Sequence, residues 1–598
     1  MTELSVTFEQ VSDDTLVIRD PIEGRQLTFS VDGAGSVSSR EEDPFLFPVD
    51  RAISLQTGLL TLHRMDLVRV WAADGTASHR ILPNESRTFG PGEYQIEISG
   101  PIKLYVAVEG PLSLEMEPHR FEVALDAPQS VVLGARSYHE RPAATITVGG
   151  DPSDAMTALS HLSSSLKATT PDASFPTLRG HPPLIETGEQ LHVPEGVDPI
   201  QSGITIEVPA RRRLLYPLAP LAFYLGAEIR EGPTPRLLTD EGFEYRLDDG
   251  TWLDDVAARV LRHVFTLDAV VRSTGLFDVD LHEREVVASR VDVDLETLYE
   301  LPMRKRLETY LAIPPQAVSD IGPRWSMTAY VPPTEAGIEY VPHVVDELGF
   351  IRNPRGTKMD ESAEIGGLDV PVERSRRYVS SDAGTRKLLR PDTVDDSVEH
   401  VWFDDHVPVG ATKGTLPAVR NTLDRTTNHD PIEIALVSGE ERFADLTHRL
   451  EEAYRLRSGF EYDFEVATAD DPETVRSIVE SPLDVLHFVG ETTPGGLETG
   501  TGSLRFESLQ SVGADVFIID ADHSFEEALW LANNGALGGI GTVGRVRPET
   551  STSAGPTVAK LLSLGFPLRA AIEVARRHAA LGEQYVIVGN GSLDVAQP

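Results

Sequence analysis

Residues 431–598 alternate between short apolar runs and amphipathic stretches, and this alternation constrains the fold more than any other feature of the chain. The strand-like runs are IEIALVSG (432–439), FEYDFEVATA (460–469), DVLHFVGE (484–491), ADVFIID (514–520), ALGGIGTVG (536–544) and YVIVGN (585–590). Segments with helical spacing of their apolar residues lie at 441–459, 472–481, 525–535, 556–564 and 567–581. Strands that alternate with helices predict a mostly parallel, doubly wound sheet.

Acidic residues follow two of these strands, at the end where doubly wound sheets place their functional crevice. Glu491 ends the run at 484–491, and Asp520, Asp522 and His523 cluster at the end of the next run. If the two strands are neighbours in the sheet, Glu491 and Asp522 face each other across the crevice. The sequence therefore marks these four residues as the candidate site.

The order of elements and two short motifs resemble the CHAT domain, a branch of the caspase-like cysteine peptidases that includes separase and gingipain relatives. Members end the third strand with a run such as LHFxGHG, whose second histidine is the catalytic base. They end the fourth strand with xLNAC, whose cysteine is the nucleophile. This chain has LHFVGE at 486–491 and IIDAD at 518–522, so Leu486–Phe488 and Gly490 keep the pattern. The resemblance covers residues 431–598 and implies a caspase-like fold there.

The two positions that carry the peptidase chemistry in this family are changed. Glu491 stands at the base position, Asp522 stands at the nucleophile position, and the chain contains no cysteine. A cysteine peptidase depends on a thiolate that a histidine helps to form, and two carboxylates cannot provide one. His487 occupies the non-catalytic histidine position, where strand alternation should turn its side chain away from the crevice. We therefore expect a domain without cysteine peptidase activity.

One interpretation of Asp522 is that it only stabilises the fold. Ser524 followed by Glu527 fits a capping box, which predicts a helix that begins at Phe525. Acidic residues just before a helix are favoured by its dipole. On this interpretation the site has lost its chemistry, no cofactor is expected, and the protein acts as a scaffold or regulator that binds a protein partner.

The alternative interpretation is an enzyme of another class. Glu491, Asp520, Asp522 and His523 could gather a divalent metal, because hard cations favour clustered carboxylates. Two facing carboxylates could also share a proton and act as an acid/base pair. The alternative function is thus a metal- or carboxylate-dependent hydrolase that uses the crevice at Glu491 and Asp522.

Four regions precede the CHAT-like domain at 431–598. Residues 1–150 have short apolar runs separated by Gly, Pro and Asp turns, which predict an all-β, sandwich-like domain. Residues 151–199 hold a helix and a polar linker, residues 200–330 predict a mixed α+β domain, and residues 331–430 predict an irregular, extended connecting region. The predicted fold class is therefore multidomain, α/β plus all-β.

Within the middle of the chain, three segments carry more specific predictions. The spacing of apolar residues predicts an amphipathic helix at 251–277, and one or two helices at 295–313 that are broken near Pro302. The most apolar run, at 214–227, is too short for a membrane span of roughly 20 residues and predicts a buried helix. The Ser-, Thr- and Pro-rich stretch at 163–194 predicts the linker.

The composition describes a very acidic protein. The chain has 94 Asp and Glu against 53 Lys and Arg, a net charge of −41, and its cations are almost all arginine. Such a surface is what we expect of a halophile protein, because in molar salt the Debye length falls to about 3 Å and carboxylates repel one another less. The charge argues against nucleic-acid binding.

Several other classes are excluded or disfavoured. GIGTVG at 539–544 fits G-x-G-x-x-G but lies in the fifth strand rather than the first strand–helix turn, which disfavours a dinucleotide cofactor. The beginning of the chain, MTELSVTFEQVSDD, lacks the pattern of a secretory signal, and no segment predicts membrane contact. We therefore expect a cytoplasmic protein.

Overall fold

The computed structural model describes residues 4–32, 37–40, 44–64, 66–75, 77–275, 279–359, 388–425, 431–439, 443–457, 459–493, 496–546, 548–578 and 581–595. Over these residues the chain is a mixed α/β protein with several β-sheets. It divides into two units, Met1–Pro323 and Arg324–Pro598.

The first unit begins with a large antiparallel sheet, in agreement with the all-β pattern of its sequence. Its strands are β1 (Thr7–Ser12), β2 (Thr15–Asp20), β3 (Arg25–Val31), β4 (Ser38–Arg40), β5 (Arg51–Leu62), β6 (Leu67–Ala72), β7 (Ser78–Ile81), β8 (Ser86–Phe89), β9 (Glu93–Ser99), β10 (Lys103–Glu109), β11 (Leu112–Glu117) and β12 (Arg120–Arg136). They pair in the order β1-β2-β3-β5-β12-β10-β9-β6-β7, while β4 pairs with β5 and β11 pairs with β12 and β8. Because successive side chains face opposite sides of a strand, Leu104 and Val106 enter the main core while Tyr105 packs in a second cluster.

The segment at 163–194, predicted to be a polar linker, is folded instead. It contains short 3-10 helices at Leu162–Ser165, Pro171–Ser174 and Pro176–Leu178, and strand β14 (Leu184–Thr187), which pairs in parallel with β13 (Thr145–Val148). The buried hydroxyls of Ser163 and Ser165 donate to the carbonyls of Ser160 (3.1 Å) and Gly180 (2.7 Å). Serine hydroxyls can form hydrogen bonds with nearby backbone carbonyls. This segment can therefore be buried despite its polar composition.

The rest of the first unit is mixed α+β, as predicted. Strands β15 (Ile204–Val208), β16 (Glu228–Glu231), β17 (Arg236–Thr239) and β18 (Glu244–Arg246) form a sheet in the order β16-β15-β17-β18. The helices of this unit are α1 (Pro152–His161), α2 (Arg212–Leu215), α3 (Ala219–Leu225), α4 (Leu253–Val271), α5 (His282–Arg290), α6 (Leu295–Glu300) and α7 (Met303–Ala312). The predicted helix at 251–277 corresponds to α4, and the predicted break near Pro302 separates α6 from α7.

The apolar run at 214–227 forms buried helix, as its two prolines and length indicate. Every residue of α3 is buried. Pro220 lies in its first turn, where backbone N–H groups have no hydrogen-bond partner within the helix, so the N–H that proline lacks is not needed. Across the described residues, helices are all too short or too polar to cross a lipid bilayer.

A buried ion pair joins three helices of the first unit. The Arg306 guanidinium of α7 donates to Asp268 Oδ1 of α4 at 2.8 Å, and both side chains are 1% exposed. The hydroxyls of Tyr310 and Tyr224 also donate to the Asp268 carboxylate, at 3.0 and 2.9 Å. Arg306 further donates to the carbonyls of Leu301 and Thr169, both at 2.9 Å. The charge of each partner is therefore compensated inside the core.

The described residues of the second unit form one large sheet and two small ones. Its strands are β19 (Trp325–Tyr330), β20 (Phe350–Arg352), β21 (Gly356–Lys358), β22 (Leu388–Pro391), β23 (Ser397–Trp402), β24 (Val407–Pro408), β25 (Thr412–Lys413), β26 (Ile432–Ser438), β27 (Tyr462–Thr468), β28 (Leu483–Val489), β29 (Thr492–Thr493), β30 (Gly496–Thr499), β31 (Gly502–Leu504), β32 (Ala514–Asp520), β33 (Gly538–Thr542) and β34 (Tyr585–Gly589). The large sheet has the order β20-β19-β23-β25-β34-β33-β32-β28-β26-β27.

The large sheet consists of two parallel halves that run in opposite directions. Neighbouring strands are parallel throughout, except that β33 and β34 are antiparallel. The half from β33 to β27 contains five of the six strands predicted at 431–598. The mostly parallel sheet is therefore present, and it is larger than that region alone.

The region at 331–430, predicted to be irregular and connecting, contributes to this sheet. Strands β20, β23 and β25 belong to it, together with β19, which begins at Trp325. Residues 360–387 and 426–430 of the predicted region lie outside the described residues. The prediction failed because strands of two or three residues, such as β25 and β20, are too short to show an alternating pattern.

Among the described helices of the second unit, the last five follow the order predicted for residues 431–598. They are α8 (Val341–Asp346), α9 (Leu416–Asp424), α10 (Ala444–Tyr454), α11 (Pro472–Glu480), α12 (Phe525–Asn533), α13 (Pro548–Ser563) and α14 (Leu568–His578). One boundary differs clearly: the predicted helix at 556–564 begins at Pro548, and Pro556 lies inside it. Proline is common at helix starts and disfavoured inside helices, which explains the error.

Candidate functional site

Two adjacent strands place Glu491 and Asp522 at the same edge of the sheet. Strands β28 and β32 are parallel neighbours, with Val489 opposite Asp520. Glu491 lies two residues beyond the end of β28, and Asp522 lies two residues beyond the end of β32. The Thr492 hydroxyl donates to the Asp522 carbonyl, which joins the two strand ends.

The Asp522 carboxylate bonds to the backbone of a neighbouring loop. Its Oδ1 accepts the Val546 backbone N–H at 2.7 Å, and the side chain is half-buried. Val546 lies between β33 and α13. The Asp522 side chain therefore fixes the loop that follows β33.

His523 adopts an unusual backbone conformation in the turn between β32 and α12. Its φ is +51°, a region that non-glycine residues seldom occupy. Its N–H donates to the Gly544 carbonyl at 3.0 Å, so the turn is tied to the end of β33. Burial lowers the pKa of His523, and the nearby Asp522 carboxylate opposes this shift. The histidine is therefore held as part of a structured turn.

The predicted helix start at Phe525 is confirmed, but the predicted capping box is wrong. Ser524 makes no side-chain cap, because its backbone is not in the extended conformation that an N-cap residue adopts. Its buried hydroxyl instead donates to the Ile519 carbonyl at 2.8 Å and accepts the Thr542 N–H at 3.1 Å. Ser524 thus joins β32 to β33.

Glu527 lies in the first turn of α12, beyond Asp522. Burial raises the pKa of its carboxyl to about 7, and the nearby carboxylates of Glu526 and Glu507 act in the same direction. This side chain can therefore hold or release a proton near neutral pH. The sequence singled out Glu527 only for capping and gave no signal for this property.

Asp520 and His487 belong to a buried layer on one face of the sheet. The Asp520 carboxylate accepts the Tyr585 hydroxyl of β34 at 2.7 Å. His487 is fully buried, with Nδ1 3.2 Å from the Tyr454 hydroxyl of α10. Burial lowers the pKa of His487 to about 3, so the ring stays neutral at physiological pH. His487 therefore contacts α10 on this face of the sheet.

The four predicted site residues are held in separate local contacts. Tyr585 bonds to Asp520, Val546 bonds to Asp522, and Gly544 bonds to the backbone of His523, while Glu491 is exposed. In the part of the chain that the structure describes, no three Asp, Glu or His side chains are grouped so that they could hold a metal ion. The metal cluster remains a prediction from sequence, without support from this geometry.

The segment after Glu491 forms a small antiparallel sheet. Strands β29, β30 and β31 pair in sequence order. The backbone of Glu491 takes part, because its carbonyl accepts the Glu498 N–H at 2.9 Å. The backbone of Glu491 is therefore anchored at the start of this sheet. Its Gly and Thr content concealed the strands from sequence analysis.

No protein-family model matches this chain, and no curated protein matches it significantly. Among solved structures, it is similar to the Arg-specific cysteine proteinase gingipain R (RgpB), at 10% identity over 45% of this chain and 77% of that chain, with a TM-score of 0.28. It is also similar to the complex of the Porphyromonas gingivalis RgpB pro- and mature domains, at 10% identity over 45% and 79%, with a TM-score of 0.27. The Saccharomyces cerevisiae separase–securin complex gives 8% identity over 56% and 22%, with a TM-score of 0.25. Likeness at this level is too distant to assign a fold or an activity.

Proposed function

We propose that the protein is a non-catalytic relative of the caspase-like peptidases, with a CHAT-like region at 431–598, that acts by binding a protein partner. The observation that carries this proposal is the hydrogen bond from the Val546 N–H to the Asp522 carboxylate at 2.7 Å. The nucleophile position is occupied by a group with a structural role. A chain without cysteine offers no thiolate in its place.

The charge of the chain supports the rest of the proposal. A net charge of −41, with few lysines, suits a cytoplasmic scaffold or regulator of a halophile, and it disfavours nucleic-acid partners. The antiparallel sheet of the first unit is the proposed recognition surface. The proposed partner of this surface is a protein.

A second candidate, a carboxylate-dependent hydrolase, is favoured by one observation. Glu527 titrates near pH 7, in the first turn of the helix that follows Asp522. A general acid or base works best when its pKa lies close to the operating pH. This candidate requires Asp522 or Glu491 to act on a substrate, and it predicts measurable turnover.

The structural role of Asp522 is tested by two substitutions. Asp522→Asn should change the free energy of unfolding by less than about 0.5 kcal/mol, because the amide oxygen can still accept the Val546 N–H. Asp522→Ala should lower it by about 1–2 kcal/mol, because that N–H loses its partner. Urea unfolding measures both values, with Asp13→Ala on the exposed β1–β2 turn as the control.

The same samples distinguish a metal site from a structural carboxylate. We expect EDTA to leave the melting temperature of the wild-type protein unchanged. If EDTA lowers it by several degrees, and Asp522→Asn removes that effect, a bound metal stabilises the folded state and the hydrolase becomes the better account. Equal destabilisation by Asn and Ala would also contradict the structural role.

A further inference from the structure

The first unit contains a cavity of about 420 Å³ beside the large antiparallel sheet. Small-molecule sites in proteins typically enclose roughly 300–1,000 Å³, with mostly apolar walls and a few polar groups. The lining here follows that pattern, with apolar walls and one polar end, and it includes Phe45, Phe47, Leu166, Ile200, Asp172 and Tyr299.

Asp172 gives the polar end of the cavity an incompletely bonded carboxylate. Its side chain is buried, with 6% of the residue exposed. Its Oδ2 accepts the hydroxyls of Thr170 and Tyr299, both at 2.9 Å. Its Oδ1 is buried and has no hydrogen-bond partner among the described residues. A buried carboxylate oxygen without a donor is unfavourable, and a ligand donor would relieve that cost.

The cations near this carboxylate are already engaged. Lys167, which lines the cavity, donates to Asp50 at 2.8 Å. Arg272 interacts electrostatically with Asp172, but its guanidinium donates to Ser174 at 2.9 Å and stacks on the Phe175 ring at 3.9 Å. These cations therefore leave Asp172 Oδ1 without a hydrogen-bond donor among the described residues.

Hydrogen bonds to residues outside the cavity hold its wall segments in place. The buried Gln95 amide accepts the Leu46 N–H and donates to the Pro44 carbonyl, both at 2.7 Å. On the opposite wall, the Thr169 carbonyl accepts Arg306, which belongs to the buried ion pair with Asp268. Pre-organised walls reduce the ordering cost of binding.

We propose that this cavity binds a small molecule with an apolar body and a primary ammonium group. The body occupies the space between Phe45, Phe47 and Ile200, and the ammonium hydrogen-bonds at the Asp172–Tyr299 end. Oδ1 is closed to solvent, so binding would require the carboxylate to turn about its terminal bond, whose torsional preference is broad, and present an oxygen to the ligand. The site lies in the first unit and does not depend on the function proposed for the second.

Calorimetric titration of the full chain with phenethylamine tests this proposal. Its uncharged analogue 2-phenylethanol and its anionic analogue phenylacetate serve as matched probes. We expect phenethylamine to bind at least about tenfold more tightly than either, because only its ammonium forms a charge-assisted bond with the carboxylate. Asp172→Asn should weaken phenethylamine binding by about tenfold or more, and Ala168→Phe, which fills the cavity, should abolish it.

Asp13→Asn and Ala127→Phe, at exposed positions of the first sheet, should leave binding unchanged. No phenethylamine binding at millimolar concentration would overturn the proposal, as would binding that survives in both cavity variants. If neither cavity variant folds, the three probes on the wild-type protein decide. Equal affinity for the amine, the alcohol and the acid would contradict the site.

Discussion

Replacing Arg306 with methionine should lower the free energy of unfolding by about 3–5 kcal/mol. The substitution removes the guanidinium from a pair that is 1% exposed on both sides and leaves the Asp268 carboxylate charged in the core. It also removes the donors to the Leu301 and Thr169 carbonyls. Chemical denaturation, followed by circular dichroism, measures the loss.

Arg304→Met on the same helix is the matched control. Arg304 pairs with Glu241 at 2.8 Å, but its side chain is 34% exposed and in contact with water. Exposed ion pairs contribute about 0–1 kcal/mol, so this variant should remain close to the wild-type protein. If both substitutions lowered the free energy of unfolding by the same amount, the buried ion pair would contribute no more to stability than the exposed one.

Lowering KCl from about 1 M to about 0.1 M should destabilise the protein strongly, because the Debye length grows from about 3 to 10 Å. The net charge of −41 then repels itself over longer distances. For units of this size, a loss of several kcal/mol corresponds to a fall in melting temperature of about 5–10 °C. Differential scanning calorimetry across the salt series measures it.

A neutral osmolyte distinguishes the screening of charges by salt from the stabilisation that a solute gives when it is excluded from the protein surface. Sucrose added at low salt favours burial without shortening the Debye length, so it should restore only part of the lost stability. A melting temperature that stays constant across the salt range would refute the inference that the acidic surface is adapted to high salt.

The sequence predicted those elements whose length and spacing are regular. Helix α4 and strands β28 and β32 are long enough to show their periodicity, and they lie close to the predicted positions. Strands β24 and β25 have two residues each, so they carry no periodicity. Their pairing depends on distant partners such as β34, which only the folded chain brings near.

The positions of the candidate site residues after their strands could be predicted from the sequence, but their hydrogen-bond partners could not. The order of strands and helices placed Glu491 and Asp522 after two successive strands, and the pairing of β28 with β32 makes those strands neighbours. The partners of the site residues were not predictable, because Val546 is 24 residues from Asp522 and Tyr585 is 65 residues from Asp520. The capping-box motif was misleading, because the buried Ser524 hydroxyl bonds to a carbonyl and an N–H outside its helix.

The central claim is that the crevice at Glu491 and Asp522 performs no peptide hydrolysis, and a cleavage assay tests it most directly. Purified wild-type protein, Glu491→Gln and Asp522→Asn are incubated in high salt with a peptide library, and products are followed by mass spectrometry. We predict no cleavage by any of the three proteins and no labelling by thiol-directed caspase inhibitors, since the chain has no cysteine. Turnover by the wild-type protein that disappears in Asp522→Asn would contradict the account and establish Asp522 as a catalytic residue.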